Sequence, residues 1–163
     1  MSKIGIFYGS STGTTEDIAN RIADQLGVAG GDIYDVAEAD AADADAYDTI
    51  LLGSSTWGDG ELQDDWYDFM EELKEHLDGK KVGFFGTGDS DSYADSFCDA
   101  VGILYDEVAD SGCTTIGSMP TDGYNYEESL AERNGHFVGL LIDEVNEDDM
   151  TDERIEAWVK TLK

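Results

Sequence analysis

The sequence predicts an α/β architecture, a doubly wound parallel sheet of five strands with helices on both faces. Three observations predict it. Apolar runs at Ile4 to Phe7, Ile50 to Leu52, Val82 to Phe85 and Phe137 to Ile142 are short and lack clean alternation, as strands covered on both faces do. Helical periodicities fall between these runs, and parallel strands need such crossovers. Polar loops follow Tyr8, Ser54 and Gly86, at the carboxyl ends of three strands, where sheets of this kind bind ligands.

The first strand is Ile4-Gly5-Ile6-Phe7, and a helix then opens at Thr14-Thr15-Glu16-Asp17 and repeats Ile18, Ile22 and Leu26 every four residues. A weaker run, Asp32 to Val36, is the remaining strand candidate. Trp66 sits in helical periodicity and reads as a packing residue. The third and fourth strands follow at Ile50 and Val82. Phe97, Val101, Leu104 and Val108 mark another helix. A polar insert runs from about Thr121 to Gly135, close to the single proline, Pro120. The last helix buries Ile155, Trp158, Val159 and Leu162, with Asp152 and Glu153 in its first turn and Lys160 and Lys163 in its last, matching the helix dipole.

A length of 163 residues suits one domain spanning 1–163, with a core that needs no disulfides or structural metal. The opening Met1-Ser2-Lys3 leads straight into the first strand and has no secretory character, so a soluble cytoplasmic protein is expected. Cys98 and Cys113 lack any metal-binding or framework spacing and read as reduced thiols; His76 and His136 read as surface residues. The net charge is -29, from 38 acidic against 9 basic residues. Such a surface repels nucleic acid and anionic membrane and attracts partners with basic patches. It also keeps a monomer soluble, and Ala-Asp tracts such as Ala37 to Asp48 need no partner to explain them.

The first loop reads Gly9-Ser10-Ser11-Thr12-Gly13-Thr14-Thr15 and opens a helix, so backbone N–H groups and hydroxyls can converge on an anion. It lacks the lysine of a nucleoside-triphosphate loop, which favours a terminal monophosphate over a magnesium triphosphate. The second, Thr56-Trp57-Gly58-Asp59-Gly60-Glu61-Leu62, sets an indole at a strand exit, placed to stack on a planar ligand. The third, Gly86-Thr87-Gly88-Asp89-Ser90-Asp91-Ser92-Tyr93-Ala94-Asp95, again presents one aromatic among small residues. No nucleophile and base fall together, so no catalytic residue is assigned.

Taken jointly, Thr-Gly-Thr-Thr-Glu, Thr-Trp-Gly-Asp-Gly-Glu-Leu-Gln and Gly-Thr-Gly-Asp with Tyr-Ala-Asp resemble the phosphate loop and two flavin loops of the flavodoxins, over essentially the whole chain. The strand order 2-1-3-4-5 comes from that resemblance, flavodoxins being the standard example of it. The insert resembles the long-chain branch, where it interrupts the last strand. The resemblance implies a low-potential one-electron carrier with non-covalently bound FMN, alternating between semiquinone and hydroquinone. It takes electrons from a reductase and passes them to low-potential acceptor enzymes. Ser10, Ser11, Thr12, Gly13, Thr14 and Thr15 would hold the phosphate. Trp57 and Tyr93 would sandwich the ring, with Ser55, Thr56, Gly60 and the Gly58-Asp59 peptide beside it. Thr87, Gly88, Asp89 and Cys98 would approach the pyrimidine edge, Cys98 through its backbone, Phe97 would belong to the same cofactor site, and Asp143 would reach the ribityl chain.

The main alternative is an FMN-dependent NAD(P)H or quinone oxidoreductase on the same fold. Against it, no basic residue stands in the three loops to hold a nicotinamide phosphate. A response-regulator-like module needs acidic residues where Tyr8-Gly9-Ser10 and Gly53-Ser54-Ser55 stand.

Overall fold

The computed structural model describes residues 3–9, 13–57, 61–62, 65–89, 96–121, 124, 126–144 and 146–162. Strand β1 (Ile4–Gly9) leads to helix α1 (Thr14–Leu26), and β2 (Ile33–Asp35) to β3 (Thr49–Trp57). A two-residue β4 (Glu61–Leu62) precedes α2 (Asp65–Leu73), then β5 (Lys81–Thr87) and α3 (Asp99–Val108). Short strands β6 (Thr114–Thr115), β7 (Met119–Pro120), β8 (Glu132–Arg133) and β9 (His136–Phe137) come before β10 (Leu140–Ile142) and α4 (Thr151–Leu162).

The parallel strands lie in the order β2-β1-β3-β5-β10, as expected. Their apolar runs are buried because both faces are covered. Salt bridges trace the layers: Arg21 of α1 meets Asp152 of α4 on one face, and Lys74, just past α2, meets Glu107 of α3 on the other. Phe84 turns to Tyr105 of α3 and its neighbour Phe85 to Trp158 of α4, the alternation that a strand imposes. Trp66 is fully buried, as its periodicity predicts, and its indole N–H donates to the Gly53 carbonyl at 2.8 Å.

The fifth strand is split. Thr114 and Thr115 pair with Lys81 and Val82, while Leu140 to Ile142 pair with Phe85 to Thr87. Continuing the count sets Ile116 beside Gly83 and Gly139 beside Phe84. The insert therefore spans 117–138, wider than the polar stretch Thr121 to Gly135; at its far end Phe137 and Val138 read as the start of the last strand. It carries its own antiparallel sheet, β7-β9-β8. The run Phe137 to Ile142, read as one strand, belongs to two: Phe137 ends β9, and Leu140 rejoins the main sheet. The expected helix from Phe97 begins two residues later, because Cys98 adopts a left-handed φ of 51° and caps α3.

The insert packs on α3 through backbone. A Cβ on Gly102 would stand 2.3 Å from both the carbonyl carbon and oxygen of Leu130. Gly102→Ala is therefore expected to lose about 1–3 kcal/mol, the usual range for overpacking. Urea titration checks it, and an unchanged midpoint would show that the insert yields freely.

Candidate functional site

The carboxyl ends of four parallel strands line up along one edge. Gly9 stands opposite Ser54, Ser54 opposite Gly86, Ser55 opposite Thr87, and Thr87 opposite Ile142. Helix α1 starts at this edge after Gly13, whose φ of 89° only glycine adopts without strain. Among the described residues no side chain caps the helix. Its positive dipole end is thus directed at the edge, although Glu16 and Asp17 occupy its first turn.

Thr15 and Thr87, expected in two different loops, meet. Both are buried, and their hydroxyl oxygens lie 3.1 Å apart. This bond joins the opening of α1 to the end of β5, so the Thr15 side chain positions the helix. Beside it the Ser55 hydroxyl is buried and has no hydrogen-bond partner among the described residues. β3 and β4 pair antiparallel, with Trp57 opposite Glu61. Ser10, Ser11, Thr12, Gly58, Asp59, Gly60 and Tyr93 lie outside the described residues, as do the side chains of Thr56 and Trp57.

Behind β5 the chain is tightly packed. The Gly88 N–H donates to the Ile142 carbonyl at 3.0 Å, and a Cβ on Gly88 would stand 2.9 Å from the Cys98 sulfur and 3.0 Å from its nitrogen. Any side chain there would push the loop from α3. Cys98 has no exposed surface, and burial, then the Asp143 carboxylate, push its thiol well up. It stays a protonated packing group, consistent with reliance on its backbone alone. Phe97 also has no exposed surface; its ring lies between Tyr124 and Tyr126, each 5.9 Å away between centroids. The structure thus puts Phe97 under the insert, where its own ring is covered.

Asp143 is fully buried rather than open to the edge. It accepts from the backbone N–H and the side-chain amide of Asn146, and that amide also donates to Asp89 at 2.7 Å. Sequence reading missed Asn146. The Asp-x-x-Asn spacing of a side-chain-stabilised turn was the available signal.

The family model for flavodoxin matches residues 6–158. The chain belongs to the flavodoxin family. It is 49% identical to the flavodoxin of Trichodesmium erythraeum, across 100% of this chain and 97% of that protein. Flavodoxin 1 of Azotobacter vinelandii is 48% identical over 100% of this chain and 97% of its own. The fold matches the crystal structure of Fusobacterium nucleatum flavodoxin bound to flavin mononucleotide with a TM-score of 0.89 at 33% identity, covering 99% of this chain and 97% of that one.

Carboxylates shape the family edge here. Burial first, then Glu16, Asp35 and Glu38, push the Tyr8 phenol up to about 12, and burial with Glu132 pushes Tyr126 up to about 12 as well. Tyr47 and Tyr124 are raised too, chiefly by burial. In the unfolded chain these phenols ionise near 10. The folded state holds their protons longer, so its stability is full below about pH 10 and falls as pH rises from about 10 through about 12. Urea midpoints across that window should drop steeply, and a flat profile would contradict the burial of these rings.

Proposed function

We propose that this flavodoxin is a one-electron carrier, not an enzyme, and that it holds one FMN non-covalently at the carboxyl edge of β1, β3 and β5. The observation that carries the reading is the alignment of the strand ends from which the three loops leave, at one edge of a fold matching FMN-bound flavodoxin at a TM-score of 0.89. The residues fit the group. A helix start directed at this edge suits a phosphate. The buried Ser55 hydroxyl, without a hydrogen-bond partner among the described residues, suits a ligand with polar edges.

In this reading the turn at Ser10 to Thr15 binds the phosphate through neutral donors, and the Thr15 hydroxyl is held in place by its bond to Thr87. Trp57 and Tyr93 cover the ring faces and exclude water. Thr87, Gly88 and Asp89 address the pyrimidine edge. Bound FMN supplies the one-electron chemistry, and the surrounding carboxylates disfavour added negative charge, which holds the working potential low. Partners are redox proteins with basic patches, a reductase on one side and low-potential enzymes on the other, drawn by the charge of -29 to a cytoplasmic monomer. No described helix is long and apolar enough to cross a membrane.

Titrating apoprotein with FMN and riboflavin tests the reading. Two charge-assisted bonds to phosphate, at about 1.5–3 kcal/mol each, should make FMN bind at least about 100-fold tighter. Equal affinities would remove the phosphate assignment.

A further inference from the structure

One neutral side chain joins the two loops that follow β5 and β10. The Asn146 amide nitrogen donates to Asp89 Oδ1 at 2.7 Å and to Asp143 Oδ2 at 3.0 Å, with Asp143 Oδ1 at 3.3 Å. Its backbone N–H donates separately to Asp143 Oδ1 at 3.0 Å. Asp143 has no exposed surface, and a buried carboxylate needs such donors. Two carboxylates brought together repel unless something between them donates to both. An amide NH2 has two hydrogens and no charge, so it satisfies both without adding a cation.

The surroundings anchor one end of this bridge. The Glu147 N–H donates to the Asp143 carbonyl at 3.0 Å, and Arg154 of α4 pairs with Glu147 at 2.9 Å. The other end, Asp89, belongs to the loop expected at the pyrimidine edge, beside Gly88, whose N–H is tied to Ile142. Rigid Asp143 thus fixes Asn146, and Asn146 fixes the direction of the Asp89 carboxylate.

We propose that Asn146 is a positioning residue for flavin recognition, holding the Asp89 carboxylate against the single N–H on the pyrimidine edge of the oxidised flavin. This rests on the FMN reading above. Replacing Asn146 removes this donor and its hold on the direction of the Asp89 carboxylate, while the backbone turn to Asp143 remains.

The test titrates apoprotein with FMN and with FMN methylated at that ring nitrogen, using wild type, Asn146→Leu, Asp89→Asn and the double variant. Wild type should prefer FMN by about tenfold or more, as one charge-assisted bond implies. Asn146→Leu should lose most of that preference, chiefly through weaker FMN binding. The double variant should be little worse than Asp89→Asn alone, since residues acting through one contact are not additive. If Asn146→Leu weakens both flavins equally and keeps the preference, Asn146 is merely structural and the proposal falls. A wild type that binds FMN tightly without discriminating overturns the proposal and leaves the FMN reading standing. Binding of neither flavin overturns both. Should Asn146→Leu fail to fold, Asn146→Ser, which keeps the turn and shortens the side chain, is held to the same outcomes.

Discussion

The apoprotein is expected to gain at least about 5 kcal/mol of stability between 10 mM and 1 M sodium chloride, raising its thermal midpoint by about 10 °C or more. The cause is its own charge. With 38 acidic against 9 basic residues, compaction forces like charges together. At about 0.01 M salt the Debye length is about 30 Å, twice the radius of gyration of about 15 Å for a chain of this length, so every carboxylate feels every other. At 1 M it is about 3 Å, and only neighbours interact. The cations give little long-range relief, because they are engaged locally. Arg21 serves Asp17, Glu144 and Asp152; Lys74 serves Glu71 and Glu107; Arg133 and Arg154 serve Asp106 and Glu147. Thermal melts across a salt series decide the matter. A midpoint independent of salt would mean that bound counterions or shifted carboxyl protonation already neutralise the surface.

Trp158→Ala is expected to lose about 3–5 kcal/mol, the range for deleting a large buried aromatic. Trp158 has no exposed surface and packs 6.1 Å from Phe85 between centroids. Its indole N–H donates to the Gly117 carbonyl at 2.8 Å, at the point where the chain leaves the main sheet for the insert. The ring therefore fills the space behind β5 and also satisfies a backbone group that the departing strand no longer pairs. Trp158→Phe separates the two effects. It keeps most of the apolar volume, so its loss, about 1–3 kcal/mol, reports the orphaned carbonyl. Urea unfolding of both variants measures this, and a Phe variant as stable as wild type would show that the carbonyl finds another donor.

Much of this was legible in the sequence, and the gaps have physical reasons. Buried parallel strands announce themselves as apolar runs, and polar loops after such runs mark the ligand edge. The strands of the insert are two residues long, too short to carry any period, so its small sheet left no signal. The bond between the Thr15 and Thr87 hydroxyls left no signal because the two residues lie 72 positions apart. The packing of Phe97 against Tyr124 and Tyr126 of the insert left no local signal, because those tyrosines lie almost thirty residues on. Asn146 escaped notice because one amide among acidic residues looks like ordinary turn composition until its two carboxylates are seen together.

The divided fifth strand has a consequence for how the molecule can vary. Because β6 and β10 meet β5 in one unbroken count, Ile116 and Gly139 are successive rungs of the same ladder, and the chain between them is a detour that leaves no scar in the register. A slip of one residue would turn every later side chain to the wrong face. Here a splice from Ile116 to Gly139 slips nothing. The insert can therefore be lost, lengthened or exchanged over generations while the sheet and the ends of its strands stay as they are, and a lineage can rewrite that flank without relearning how to fold.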